Sequence, residues 1–242
     1  MDEKYFPRAC CARYTAAMPH PLAHIDAWIF DLDNTLYPAK TNLFAQIDAR
    51  MGAYVARLLG VDPVEAHRVQ KGFFHEHGTT LRGLMNEHGV DPHHFLDDVH
   101  DIDVGVVAPA PLLVESIARL PGRKLIFTNA DTPYAEKVLA RLGLNAAFEA
   151  IHDVHAMDYL PKPDPRAYRG LCEKYAIDPA RALFVDDMER NLAPAKAIGM
   201  TTVWVDNGSE QVPRHAAPAF IDHSITDVGD WLADVVAELE AA

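Results

Sequence analysis

Trp28-Ile29-Phe30-Asp31-Leu32-Asp33-Asn34-Thr35 joins an apolar run to a polar turn that carries two carboxylates. The run, Ala27 to Phe30, is short and apolar throughout, as a strand buried on both faces must be. Lys124 to Thr128, Ala182 to Val185 and Thr201 to Val205 have the same character, and each ends in polar residues. Helical spacing occurs at Thr132 to Leu142, Pro165 to Tyr175, Glu189 to Ile198 and Asp227 to Leu239. This alternation predicts an α/β fold: a doubly wound, mostly parallel, Rossmann-like sheet covered by helices. Almost a hundred residues separate the first two runs, whereas a strand-helix-strand unit needs about 30. A second unit is therefore expected between them. Phe44, Ile47, Met51, Tyr54, Val55 and Leu58 recur at helical spacing there, and Gly60, Gly78 and Gly89 punctuate the segment. The expected division is a flexible N-terminal extension at 1–21, an α/β core from 22–40 and 108–242, and a helical cap at 41–107, with Val106 to Pro111 as the returning linker.

Composition narrows the partners. Among 242 residues, 22 are basic and 35 acidic, for a net charge of -13. Such a chain repels polyanions, which argues against nucleic-acid polymers and anionic membranes. No stretch reaches the roughly 20 apolar residues of a membrane span, and Asp2, Glu3, Pro7 and Arg13 interrupt any signal-peptide run. Cys10, Cys11 and Cys172 fit neither a disulfide framework nor a zinc site. A soluble cytoplasmic protein, monomeric or homodimeric, is expected. The structured pattern starts only near Leu22, so residues 1–17 are left out of the fold.

Ligands of parallel sheets bind beyond the carboxyl ends of the strands, which is where Asp31 and Asp33 fall. In extended backbone, residues two apart project to one side, so both acids can address one small group. The second run ends in Thr128-Asn129 just before a helix, where free backbone N–H groups can hold phosphate oxygens. Pro161-Lys162-Pro163 sets one positive charge between two residues of fixed φ. The run Leu183-Phe184-Val185 ends in Asp186-Asp187, adjacent acids that repel unless a cation or proton lies nearby. Taken singly, these are an acidic turn, a helix cap and a loop lysine. Their order along the chain, three of the four at strand ends, is what points to one site.

The chemistry these types share is phosphoryl transfer. A carboxylate attacking a phosphate dianion meets about 4 kcal/mol of repulsion per unit-charge pair at ~4 Å and an effective dielectric of ~20, hence roughly 8 kcal/mol uncompensated. Cations must offset it. Mg2+ suits the oxygen ligands of Asp31, the Asp33 carbonyl and Asp187, and Lys162 supplies a second positive charge. Asp31 is the expected nucleophile, forming an aspartyl phosphate, and Asp33 the acid and later the base. Thr128 and the Asn129 amide are expected to hold the transferring oxygens. The expected partner is a small phosphorylated metabolite.

With these residues in place, the chain from Ala27 to Trp231 resembles the haloacid dehalogenase superfamily of phosphohydrolases. The resemblance implies Asp31 as nucleophile, Asp33 as acid/base, Thr128 and Asn129 as the second motif, Lys162 as the third, and Asp186 with Asp187 as the metal-binding fourth. In the two-acid form of that motif the second acid usually touches magnesium and the first works through water, which favours Asp187 for direct contact. It also implies a cap that closes over the site and excludes water. Phe30 to Pro38 and Phe127 to Asp131 look most like pyrimidine 5'-nucleotidases, and Gly78 to Leu84 resembles a loop of those enzymes that reaches toward the substrate. Thr80 and Arg82 are the specificity candidates on that loop. The implied activity is hydrolysis of a nucleoside 5'-monophosphate; the alternative is a phosphatase or phosphomutase of a sugar phosphate or other small metabolite. A carbon-attacking dehalogenase has no use for an acid at 33. A phosphonate hydrolase of this fold needs a cap lysine, for which Lys71 alone is available. A phosphate-accepting receiver, the non-enzymatic alternative, commonly lacks the i+2 acid and the long insertion. Seven of 13 histidines lie between His67 and His100; their scatter predicts a solvated surface and no second metal site. Phe73 and Phe74 are expected in the cap core.

Overall fold

Six parallel strands in the order β3-β2-β1-β4-β5-β6 form the centre of the protein, in a computed structural model that describes residues 20–208 and 218–241. The strands are β1 (Ala27–Phe30), β2 (Arg123–Phe127), β3 (Ala150–His152), β4 (Ala182–Asp186), β5 (Thr201–Val205) and β6 (His223–Ile225). The chain builds outward from β1 to one edge, returns, and builds from β4 to the other, so a topological switch point lies between β1 and β4. Open α/β sheets bind ligands at such a point. The register sets Phe30 opposite both Ile126 and Val185, which brings Asp31, Thr128 and the Asp186-Asp187 pair to the same end of neighbouring strands. Asp31 N–H still donates to Val185 O at 2.9 Å, so the first acid is anchored to β4 by the ladder itself.

The central strands are buried on both faces. Trp28, Ile29, Phe30, Phe127 and Phe184 have no exposed surface, and full burial of an apolar side chain of this size stabilises by about 1.5–3 kcal/mol. The Trp28 indole N–H, which would otherwise be stranded, donates to Pro121 O at 2.9 Å. Short β3 and β6 complete the two edges, and neither is among the four strands expected from the sequence.

Nine α-helices are formed by the described residues. Four lie between β1 and β2: α1 (Leu43–Leu59), α2 (Pro63–His77), α3 (Thr80–His88) and α4 (Pro92–Val99). Aspartates at 62 and 91 cap α2 and α4 by accepting backbone N–H bonds, and a proline opens each first turn, where its missing N–H costs nothing. Gly83 matters for packing: a Cβ there would collide with the Phe73 ring, so the bare backbone of α3 is what lets buried Phe73 lie against it. The stretch expected as a reaching loop, Gly78 to Leu84, is therefore corrected to a turn followed by the start of α3.

The remaining helices are α5 (Pro111–Arg119), α6 (Thr132–Leu142), α7 (Pro165–Tyr175), α8 (Glu189–Ala197) and α9 (Val228–Ala241). Helix α5 begins inside the span expected as a linker, with Pro111 in its first turn. No helix among the described residues is long and apolar enough to cross a membrane. The expectations for residues 1–19, with Cys10 and Cys11, lie outside the described residues. His20, within the span expected to be flexible, sits 2.8 Å from Glu238 of α9.

Candidate active site

Lys162 Nζ is the hub of the site. It lies 2.7 Å from Asp31 Oδ1 and 2.7 Å from Asp186 Oδ2, with 1% of its side chain exposed. The rings of Phe127 and Phe184 flank the ammonium at 5.1 and 5.2 Å, distances at which the ring faces attract a cation. Burial alone would strip the proton from such a lysine. The charges of Asp186 and Asp31 reverse that and hold its pKa above the ordinary value.

Each acid is then fixed by its own neighbours. Asp31 Oδ2 accepts from Thr35 Oγ1 at 3.0 Å, and Thr35 Oγ1 in turn accepts from Asp187 N–H at 3.1 Å. Asp186 is saturated: besides Lys162, it accepts from Met188 N–H at 2.8 Å and from Asn191 Nδ2 at 3.0 Å on each oxygen. Burial raises its pKa to about 7 against the pull of Lys162. The oxygens of Asp31, Asp186 and Asp187 come within 4.8 Å of one another. Lys162 answers two of these acids, Asp31 and Asp186, and the cluster of Asp31, Asp186 and Asp187 offers oxygens close enough together to hold a metal ion.

Asp33 is placed differently from the expectation of two acids projecting from extended backbone. The chain leaves β1 at Phe30 and is already in a turn at Asp33, closed by Leu36 N–H on Leu32 O at 3.1 Å, with Asn34 at φ 58°. Both acids nevertheless line one cavity. Asp33 Oδ1 accepts from Tyr37 at 2.5 Å and from Tyr134 at 2.6 Å. Dehydration of the carboxyl, and then the charge of Asp31, raise the Asp33 pKa above its ordinary value, against the pull of the two phenols. The Tyr37 and Tyr134 hydroxyls are pushed up in turn by burial and by Asp33.

Thr128 is buried at the end of β2, its Oγ1 accepting from Ala130 N–H at 3.1 Å. Asn129 turns its side chain to Lys162: Oδ1 accepts from Lys162 N–H at 2.9 Å and Nδ2 donates to Lys162 O at 3.1 Å. Its side-chain amide is thus spent on fixing the lysine loop.

A cavity of about 520 Å³ opens between these groups and the helical insertion. Its walls on the insertion side are largely apolar, with Phe44, Ile47, Met51, Phe74 and Leu96, but include Asp48, Gln70 and Lys71. Lys71 Nζ and Gln70 Nε2 both donate to Asp48 Oδ1, at 2.7 and 2.8 Å. Thr80 lines the cavity, while Arg82, the other specificity candidate, is not among the lining residues. Phe74 is not core as expected: it faces the cavity under the Arg190 guanidinium, 3.9 Å from its ring centre. His100, expected on a solvated surface, is instead buried, 2.9 Å from Asp131 and stacked on Tyr134 at 4.3 Å. Thr35 and Tyr37 stand in the opening stretch and its continuation, where hydroxyls beside acids were a usable signal. His100, Tyr134 and Arg190 gave none, because their contacts lie far away in sequence.

Against known proteins, a family model described as haloacid dehalogenase-like hydrolase matches residues 25–199. The chain is 26% identical over 200 residues to phosphate metabolism protein 8 of Saccharomyces cerevisiae, covering 76% of this chain and 62% of that one. It therefore spans less than two thirds of the length of that relative. It is 31% identical to a phosphoglycolate phosphatase of Mesorhizobium japonicum, covering 81% of this chain and 89% of that one. A solved structure titled as a HAD phosphatase from Thermococcus onnurineus superposes with a TM-score of 0.59 at 18% identity, covering 88% of this chain and 99% of that one, a likeness of fold.

Proposed function

The chain belongs to the haloacid dehalogenase-like hydrolase family, and from that premise we propose that it is a Mg2+-dependent phosphomonoesterase working through a phosphate on Asp31. The observation that carries this reading is the buried Asp31-Lys162-Asp186 bridge, with Asp187 and Asp33 facing the same cavity. The residues present fit a divalent ion: Asp31, Asp187 and the Asp33 carbonyl would hold it, with Asp186 reached through water, and it would screen nucleophile from phosphate. That Asp186 is saturated by Lys162, Met188 and Asn191 supports Asp187 for direct contact.

Asp31, steadied by Thr35 and Lys162, attacks phosphorus. Asp33 protonates the leaving oxygen and then takes a proton from the attacking water. Thr128 and the backbone N–H of Asn129 hold the transferring oxygens, and Lys162 balances their charge. Residues 41–107 serve as the cap over a core of 22–40 and 108–242, excluding water as phosphate transfers.

The substrate we infer is a nucleoside 5'-monophosphate. Its support is the likeness of Phe30 to Pro38 and Phe127 to Asp131 to pyrimidine 5'-nucleotidases, together with a cavity whose volume and largely apolar walls suit a planar organic group. The likeness to a phosphoglycolate phosphatase favours a second reading, a small metabolite phosphate; a two-carbon leaving group would leave most of the cavity unfilled. The test is hydrolysis of p-nitrophenyl phosphate with Mg2+ and its loss in Asp31→Asn, followed by kcat/KM across nucleoside monophosphates, sugar phosphates and phosphoglycolate. Turnover that survives in Asp31→Asn would contradict the mechanism, and preference for phosphoglycolate would contradict the substrate.

A further inference from the structure

We propose that Tyr37 and Tyr134 are positioning residues for phosphoryl transfer, confining the travelling proton of Asp33 to its Oδ2. The inference rests on the reading of Asp33 as the acid and base. A carboxylate oxygen offers two in-plane lone-pair sites. Both phenols donate to the same one, Oδ1, at 2.5 and 2.6 Å, so that oxygen has no site left for a proton. With ordinary pKa values near 10, the phenols stay protonated at neutral pH and remain donors.

The two hydroxyls arrive from separate elements and are held tightly. Tyr37 follows the turn after β1 and is 2% exposed; Tyr134 stands in the first turn of α6 and is 1% exposed. Asp131 accepts from the Tyr134 backbone N–H at 3.2 Å, and the His100 ring lies flat on the Tyr134 ring, with 15° between their planes. His100 follows α4, so the aim of Tyr134 is fixed by the core on one side and by the helical insertion on the other.

The chemistry then has a defined path. An Asp31 oxygen bonds to phosphorus as the ester P–O bond breaks, and the proton on Asp33 Oδ2 passes to the leaving oxygen, which departs as the alcohol. Asp33 is left a carboxylate, its Oδ1 already bearing two donors. In the second displacement, water oxygen bonds to phosphorus, its proton goes to Asp33 Oδ2, and the Asp31–phosphorus linkage breaks to give inorganic phosphate and the Asp31 carboxylate. With one phenol removed, Oδ1 regains a lone pair and competes for the proton on the side away from the leaving oxygen.

The test is leaving-group dependence in Tyr37→Phe, Tyr134→Phe and the double variant, with Asp33→Asn alongside. Since kcat/KM reports the first displacement, the double variant should lose about a hundredfold on an alkyl phosphate such as β-glycerophosphate and less than about threefold on p-nitrophenyl phosphate, whose phenolate needs no acid. Equal losses on both esters, or none on the alkyl ester, would overturn the proposal. Each single variant loses one oxygen atom and should fall about tenfold on the alkyl ester; the singles decide the matter should the double lose its cooperative melt. If Asp33→Asn itself spares the alkyl ester, the acid/base reading fails and this inference with it. If Asp33→Asn is selective and the tyrosine variants are not, the inference alone fails.

Discussion

The side-chain amide of Asn129 pairs with both backbone polar groups of Lys162, accepting from its N–H at 2.9 Å and donating to its carbonyl at 3.1 Å. The ammonium that bridges Asp31 and Asp186 is thus set by a residue at the end of β2. Asn129→Ala removes both bonds, each worth about 0.5–1.5 kcal/mol. A shift of ~1 Å in the lysine loop should cost about a hundredfold in kcat. Steady-state kinetics on p-nitrophenyl phosphate, with a thermal melt, checks this; wild-type turnover would show that the lysine loop holds itself.

Lys162→Met should be inactive and, in the presence of a chelator, less stable by about 3–5 kcal/mol, because buried Asp31 and Asp186 lose their counter-charge. Mg2+ should restore part of that stability and should also raise the wild-type melting temperature, by linkage. Denaturant melts with and without Mg2+ measure both effects. Identical curves in the two conditions would count against cation binding at these acids.

His152 gives the fold an acid weakness. Its ring is 1% exposed, neither nitrogen has a hydrogen-bond partner among the described residues, and burial lowers its pKa from 6.5 to about 4. The folded protein therefore keeps this histidine neutral while the unfolded chain protonates it. Stability should fall as the pH drops from about 6.5 to about 4, by roughly 3 kcal/mol in all, and no further from this group below that. His152→Phe should flatten this part of the pH–stability curve, with the new ring packed near Phe127 and Tyr175. An unchanged slope between those pH values would exclude His152 as its source.

Specificity should follow Lys71 more than Arg82. Lys71, paired with Asp48, lines the cavity, and Arg82 does not. Lys71→Met should change the ranking of nucleoside monophosphates against p-nitrophenyl phosphate by about tenfold, whereas Arg82→Ala should leave it within about twofold. A reversed pattern in kcat/KM would return the substrate contact to the start of α3.

The central strands and motif residues were legible because their signals are local. Buried parallel strands are apolar runs, the acids and Thr128 stand at the ends of such runs, and Lys162 is marked instead by the prolines on either side of it. Strand β3 was not, since three residues ending in His152 carry no run to read. Helix α5 was missed because Pro109 and Pro111 suggest a linker, although a proline also suits a helical first turn. The surroundings of Asp33 were hidden for another reason. Tyr134 meets it across 101 positions, and an aromatic at helical spacing reads as core until the fold shows where its hydroxyl points.

The central claim is that Asp31 carries the phosphate, and acid quenching during turnover of a 32P-labelled phosphomonoester with Mg2+ tests it most directly. The account predicts label on the peptide that contains Asp31, lost in Asp31→Asn and chased off by unlabelled substrate. Turnover with no labelled protein, or with label on any other residue, would contradict it.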